Sequence, residues 1–195
     1  VSGGGIFGGT FAALATHVSK FVLNVGGASF SMLMSRSDAF GALSTLLRAA
    51  VGELDAHKIV ALAPYALDPV DPIVWSSHLG ERRILMQVGL GDAAVPTLAS
   101  EVAARGIGAT LLRPSPRDSV LLPTSSGPLT TGSGLVIVDF GVDPEVGRPW
   151  KFVNVETPSH EGVRRFAPMI EQMDIFFSPN GDIVHPCEGP CVARP

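Results

Sequence analysis

The chain has 195 residues, 16% of them charged and 46% hydrophobic, with a formal net charge of −4. Average soluble domains are about 25% charged. The low charge and high apolar content therefore exclude general disorder, and the negative balance offers no general attraction to nucleic acid or to an anionic membrane. No run approaches the ~18 apolar residues that span a bilayer.

With 22 Gly and 16 Pro, the composition is that of a globular chain with an ample core and many tight turns. Its length suits one domain or a large part of one. No charged segment ahead of an apolar stretch marks a signal peptide. A chain that opens on Val1-Ser2 rather than Met is expected to be a fragment or a processed product.

In chain order, residues 2–14 mix Gly3, Gly4, Gly5, Gly8 and Gly9 with Ile6, Phe7, Phe11 and Leu14. Apolar groups fall on more than one face, which predicts a buried helix that packs closely through its glycines. Each glycine weakens a helix by about 1 kcal/mol against Ala, so this many imply close packing or special backbone geometry. Residues 20–25 form a short apolar run closed by Gly26-Gly27, a buried-strand signal. Residues 28–79 carry helical spacing (Phe40, Leu43, Leu46, Leu47, Val51) broken at Pro64, Pro69 and Pro72, which predicts several short helices.

A second buried strand is predicted at 83–88, ending in Gly89-Leu90-Gly91-Asp92. A helix follows at 96–105, stopped by Gly106. A third strand is expected at 109–113. Residues 114–134 are rich in Pro, Ser, Thr and Gly and read as loop. Strands are expected at 135–140 and 151–156. A helix is expected over 161–177, broken at Pro168 or beginning near it, and the tail beyond Asn180-Gly181 reads as irregular. No repeat recurs at a period of 20 to 50 residues. Strands alternating with helices predict an α/β architecture with a mainly parallel sheet.

Three residues stand in a telling order. Ser2 lies at a glycine-rich strand-to-helix corner. Asp92 lies just past an apolar strand, before Val95-Pro96. His160 lies in Thr157-Pro158-Ser159-His160, just past another expected strand. Each falls beyond the carboxyl end of a strand, where open α/β sheets place ligand groups.

Here the chain resembles the α/β-hydrolase superfamily of serine esterases and lipases. Ser2-Gly3-Gly4-Gly5 is similar to the second half of the nucleophile elbow Gly-x-Ser-x-Gly, with its first Gly missing. Gly91-Asp92-x-x-Val95-Pro96 is similar to the segment that carries the acidic member, and His160 stands where the histidine is expected. The resemblance covers most of the chain but corresponds to the part of such a domain from the elbow onward.

The resemblance implies a partial α/β-hydrolase fold over residues 1–195, with the helical stretch 28–80 as a cap-like insertion. It implies cleavage of a small-molecule carboxylic ester through an acyl-enzyme, with no cofactor and no metal. Ser2 would be the nucleophile, His160 the base, Asp92 its orienter, and the Gly3 N–H one oxyanion donor. The second donor normally comes from a loop upstream of the elbow, so the 195 residues alone are expected to be weakly active or inactive. If the insertion covers the site, Phe30, Met32, Leu33, Met34 and Phe40 would favour a substrate with an apolar part.

Other readings stand beside this one. The 68 positions between Asp92 and His160 are a long interval, which implies an inserted piece, and His185 in Gly-Asp-Ile-Val-His-Pro is a rival base. Asp92 could simply cap the helix near Pro96. His17, His57 and His78 are read as structural. Trp75 and Trp150 carry no reading of their own.

Residues Gly3 to Gly8 also satisfy the dinucleotide pattern G-x-G-x-x-G. That pattern needs an acid about 20 positions on, and the first acid after Ser2 is Asp38. A non-catalytic binding piece on a hydrolase-like scaffold is the third class. Cys187 and Cys191 could form a small disulfide loop, which would suit an exported protein. They could instead join His185 and Glu188 at a metal, a set that matches no zinc pattern well, or remain free thiols. Oligomeric state is not legible.

Overall fold

The computed structural model describes residues 1–143, 146–152 and 157–193. In chain order the elements are α1 (Gly3–Leu14), β1 (Lys20–Asn24), α2 (Phe30–Arg36), α3 (Gly41–Val51), α4 (Glu53–Leu62), α5 (Pro64–Leu67), α6 (Pro72–Trp75), β2 (Arg83–Gly89), α7 (Thr97–Gly106), β3 (Thr110–Leu112), β4 (Thr124–Ser125), β5 (Gly134–Val138), α8 (Pro158–Val163) and α9 (Ala167–Phe177).

The five strands form one sheet in the order β1-β2-β5-β3-β4, and every pairing is parallel. The expected α/β class is therefore observed. Parallel strands need long crossovers, and helices in those crossovers cover both faces of the sheet. That is why β2 and β5 read as unbroken apolar runs. Successive residues of β2 face opposite ways. Ile84, Met86 and Val88 join a core with Ala12, Leu23, Ala104 and Leu111. Leu85 joins the opposite core with Val136, Val138, Val163, Met169, Phe176 and Ile183.

α1 corrects an expectation. It is a helix that packs through its glycines, but it is not buried. Gly5 lies so close to the end of β1 that a Cβ there would stand 2.8 Å from the Asn24 carbonyl oxygen. A Cβ on Gly26 would stand 2.5 Å from the Gly5 oxygen. This narrow edge is pressed in, while Phe7, Phe11 and Leu14 are each more than half exposed. Phe7 lies tilted against Phe30, with centroids 5.8 Å apart, and Phe11 lies edge-on to Phe21 at 6.1 Å. Composition spread the apolar groups around the helix, but the backbone contact at Gly5–Gly26 decided which edge turned inward.

The helix expected over 161–177 is two helices. Residues 164–166 separate α8 from α9, and Pro168 sits in the first turn of α9. A proline there has no N–H to donate, and its ring would clash with the carbonyl four residues back in a continuous helix. The loop over 114–134 holds the two-residue strand β4, paired with β3 at Leu111↔Thr124. Of the strand expected at 151–156, Lys151 and Phe152 are not in a strand, and 153–156 lie outside the described residues.

The helical stretch 28–80, expected as an insertion, is tied by polar bonds to the Asp92 loop and to α7. Ala28 N donates to Ala99 O, Asp38 N to Ala93 O, and Ser37 Oγ to Ala94 O. Within it, the buried Asp71 accepts Phe30 N and Ile73 N on its two carboxylate oxygens. Cys187 and Cys191 form a disulfide with Cα atoms 5.5 Å apart. The tail then runs beside the end of β5, where Asp139 N donates to Cys191 O and Ala193 N to Asp139 O. Among the described residues no helix is long and apolar enough to cross a membrane, and no group of three His, Cys, Asp or Glu side chains is placed to hold a metal ion.

Candidate active site

Ser2 precedes the first residue of α1 with φ 54° and ψ −125°. Few non-glycine residues occupy positive φ, and holding one there costs on the order of 1–3 kcal/mol. Its backbone is fixed at both ends. Ser2 N donates to Asn24 O at 3.0 Å, and Ser2 O accepts from Gly5 N and Ile6 N at 2.6 and 2.9 Å. The side chain is thus aimed by a sharp turn at the head of a helix.

Asp92 follows the end of β2. Gly91 makes the turn at φ +71°, and a Cβ there would stand 2.8 Å from Asp143 O, so geometry and space both call for glycine. Asp92 is 1% exposed. Its Oδ1 accepts Ala94 N at 2.8 Å and Val95 N at 3.0 Å, which closes the turn ahead of α7 rather than capping that helix as considered from sequence, the N-cap residue being Pro96. Its Oδ2 accepts from His160 Nδ1 at 2.8 Å. The two roles use different oxygens and coexist.

His160 lies in α8, 7% exposed. A carboxylate can only accept, so the proton of the neutral ring sits on Nδ1 and leaves Nε2 as an acceptor. Nε2 lies 2.9 Å from Ser2 Oγ. The hydroxyl, the imidazole and the buried carboxylate form one hydrogen-bonded chain, drawn from three segments far apart in sequence.

The loops that carry Asp92 and His160 are clamped to each other. Thr157 Oγ1 donates to Gly91 O at 3.1 Å and accepts Ala93 N at 3.2 Å, and Ser159 Oγ donates to Leu90 O at 2.5 Å. Below Ser2, a buried amide chain crosses the sheet. Asn24 Nδ2 donates to Gln87 Oε1, Gln87 Nε2 donates to Met169 O and Gln172 Oε1, and Gln172 Nε2 donates to Val184 O. Sequence reasoning overlooked Thr157, Ser159, Gln87 and Gln172 as positioning groups. Gln87 alone left a signal: it is the one uncharged polar residue in the apolar run 83–88.

The remaining candidates lie elsewhere. His185 is held in the disulfide loop, its Nδ1 within 2.9 Å of Cys187 O and 3.3 Å of Cys187 N, so the position beside Ser2 belongs to His160. His57 packs against Trp150 with ring centroids 4.3 Å apart, His78 lies beside Trp75, and His17 is exposed. The glycine pattern of Gly3 to Gly8 lies wholly inside α1 rather than in a loop ahead of it.

Comparison with protein-family models, with curated proteins and with solved structures finds no match. The geometry of the site therefore carries the functional argument by itself.

Burial pushes the Glu101 carboxyl on α7 above the usual range, partly countered by the Arg117 guanidinium. In α8, next to His160, the Arg164 hydrogen bond holds the half-buried Glu161 carboxyl below its usual range.

Proposed function

We propose that the protein is a serine hydrolase that cleaves a carboxylic ester through an acyl-enzyme. One observation carries the reading: the chain from Ser2 Oγ to His160 Nε2 and from His160 Nδ1 to Asp92 Oδ2, at 2.9 and 2.8 Å. Both lie within the 2.6–3.2 Å reach expected of a nucleophile, its base and the base's orienter. The strained backbone at Ser2 supports it, because such turns expose a nucleophile at the top of an α/β sheet.

In this reading Ser2 Oγ attacks the acyl carbon as its proton passes to His160 Nε2. The tetrahedral intermediate collapses, and the alcohol leaves with that proton. Water then repeats the sequence: its proton goes to Nε2, its oxygen bonds the acyl carbon, and Ser2 Oγ recovers the proton as the acid departs. Asp92 keeps Nδ1 protonated and stabilises the imidazolium. The N–H groups of Gly3 and Gly4 open α1 ahead of its first internal bonds, where a helix leaves donors available. Gly3 N–H is the proposed oxyanion donor, and a donor of this kind is worth about 10²–10³ in rate.

The insertion of 28–80 is proposed to receive the apolar part of the ester. Ile6 of α1 packs with Phe30, Met32 and Phe40 around Leu33, Val95 and Ala99, so an apolar cluster joins the Ser2 helix, the insertion and the Asp92 loop. Leu33 is 1% exposed and belongs to that core, whereas Met32 also lines an open cleft of about 350 Å³ with Trp150.

The test is covalent labelling with a fluorophosphonate, followed by peptide mass mapping. The expected result is one adduct on Ser2, formed far more slowly in His160→Ala. Folded protein that takes no label on Ser2 would overturn the reading and favour a non-catalytic binding role.

A further inference from the structure

Arg36 ends α2 in an unusual setting for a guanidinium. It is partly buried, and its one hydrogen bond among the described residues runs from Nη1 to a neutral acceptor, Gly147 O, at 3.0 Å. No carboxylate of the described residues lies within ion-pair distance of it. Burial accordingly holds its pKa below the ordinary value. Desolvating a cation without a counter-charge is unfavourable, so a site that keeps one there is suited to an anion from outside.

Arg36 faces a cavity of about 390 Å³ that Arg117 and Arg148 also line, together with Thr97, Leu98 and Gly147. No acidic side chain among the described residues lines it. This concentration of positive charge stands against a chain whose net charge is −4. Arg117 is held by Glu101 at 3.1 Å, and that carboxylate is 2% exposed with its Oε1 unpartnered.

The walls come from separate parts of the chain: the end of α2, the loop at Arg117, residues 146–148 and the start of α7. In α7, Ala99 N and Ser100 N turn back to Pro96 O. The N–H groups of Thr97 and Leu98 thus remain at the head of a ten-residue helix, where they add to the guanidinium donors.

We propose that this cavity binds the phosphate group of a small organic phosphate. Guanidinium forks suit phosphate oxygens in charge and in geometry. Three of them on one cavity match a tetrahedral dianion approached from several sides better than a planar carboxylate, which a single fork satisfies. The volume exceeds what inorganic phosphate needs and leaves room for an organic part against Leu98 and the backbone of Gly147.

Neither Ser2 nor His160 lines the cavity, and because Arg36 also borders the cleft of Met32 and Trp150, phosphate binding rather than ester turnover is the readout that tests the proposal. The two places are mechanically joined all the same. Pro96 follows the Asp92 turn, and Ser37, next to Arg36, donates to Ala94 O. A bound phosphate bridging Arg36 to the start of α7 would hold the insertion against the Asp92 loop.

The test is thermal melting and titration calorimetry of the whole protein with inorganic phosphate, ribose 5-phosphate and acetate, each at one ionic strength set with sodium chloride. The expected result is saturable binding of both phosphates with a raised Tm, tighter for ribose 5-phosphate, and no saturable effect of acetate. Because charge-assisted bonds to phosphate are among the stronger ones, Arg36→Gln should weaken phosphate binding about tenfold or more. Arg148→Gln, at an exposed position, should weaken it in the same direction. Phosphate binding that is absent, equal for acetate, or unchanged in both variants would overturn the proposal. Inorganic phosphate binding more tightly than ribose 5-phosphate would overturn the organic part of it.

Discussion

Beneath the candidate site, Ile84, Leu85 and Met86 of β2 are wholly buried, while Leu46, Leu54 and Leu62 of the insertion are more than half exposed. Both stretches are apolar in sequence. β2 lies between two helical layers and has no face left for water. The insertion helices bury only narrow strips, such as Gly41 and Ser44 of α3 and Ala56 and Val60 of α4. The stretch is attached to the rest of the molecule by the small apolar cluster around Leu33, by Pro72 and Ile73 against the glycines of α1 and α7, and by polar bonds to the Asp92 loop and to α7. The contrast teaches that the sheet half sets where Asp92 and His160 stand, whereas the insertion can vary with little effect on folding.

The sharpest break in that comparison comes from the sheet half. Asp92→Asn keeps an oxygen for Ala94 N and Val95 N but no longer enforces a proton on His160 Nδ1. Ester hydrolysis should fall by about 10⁴-fold in kcat with little change in Tm, as measured by steady-state kinetics beside a melting curve. An equal loss of fold would mean that Asp92 serves the turn alone.

Core truncation should separate the two regions next. Phe176→Ala removes a ring that is 0% exposed and should cost about 3–5 kcal/mol in urea unfolding. Leu46→Ser, at a position 68% exposed, should stay within about 0.5 kcal/mol. A comparable loss at both positions would show that the insertion is packed as tightly as the sheet.

A smaller effect is expected where the segments carrying Asp92 and His160 meet. Thr157→Val removes the hydroxyl between Gly91 O and Ala93 N and should cost about 1–2 kcal/mol. Its kcat should drop more than its KM changes, because the Asp92–His160 geometry loosens before substrate contacts do.

The smallest is a pH effect at Glu101. Its folded pKa is raised by burial, so the folded state binds more protons than the unfolded chain. Stability from this group therefore falls as pH rises from the ordinary glutamate value through the raised one. Glu101→Gln should flatten that decline in a Tm series taken from pH 4 to 8. A series parallel to that of the unmodified protein would break the assignment.

Much of the fold was legible beforehand. The runs at 20–25 and 83–88 gave buried strands because a parallel sheet covered on both sides demands unbroken apolar sequence. Asp92 was legible because it follows the end of β2 with turn residues around it, and Ser2 and His160 because glycine-rich and Thr-Pro-Ser turn signals surround them. The burial of α1 was misjudged. Periodicity reports which residues share a helix edge, but the Gly5–Gly26 approach is a contact between distant backbones and leaves no periodic trace. The Arg36 cavity was invisible for the same reason, since its three arginines stand far apart in the chain.

By itself, the sequence determined the alternation of strands and helices, the apolar cores and the residue types available for chemistry. Those depend on local propensity and on which side chains avoid water, and both are properties of short segments. Only the tertiary structure decided that His160 rather than His185 meets Ser2, that Asp92 divides its oxygens between a turn and an imidazole, and that three guanidiniums share one cavity. Each of these is a distance between groups brought together by the order of the strands in the sheet, and strand order is set by packing across the whole molecule.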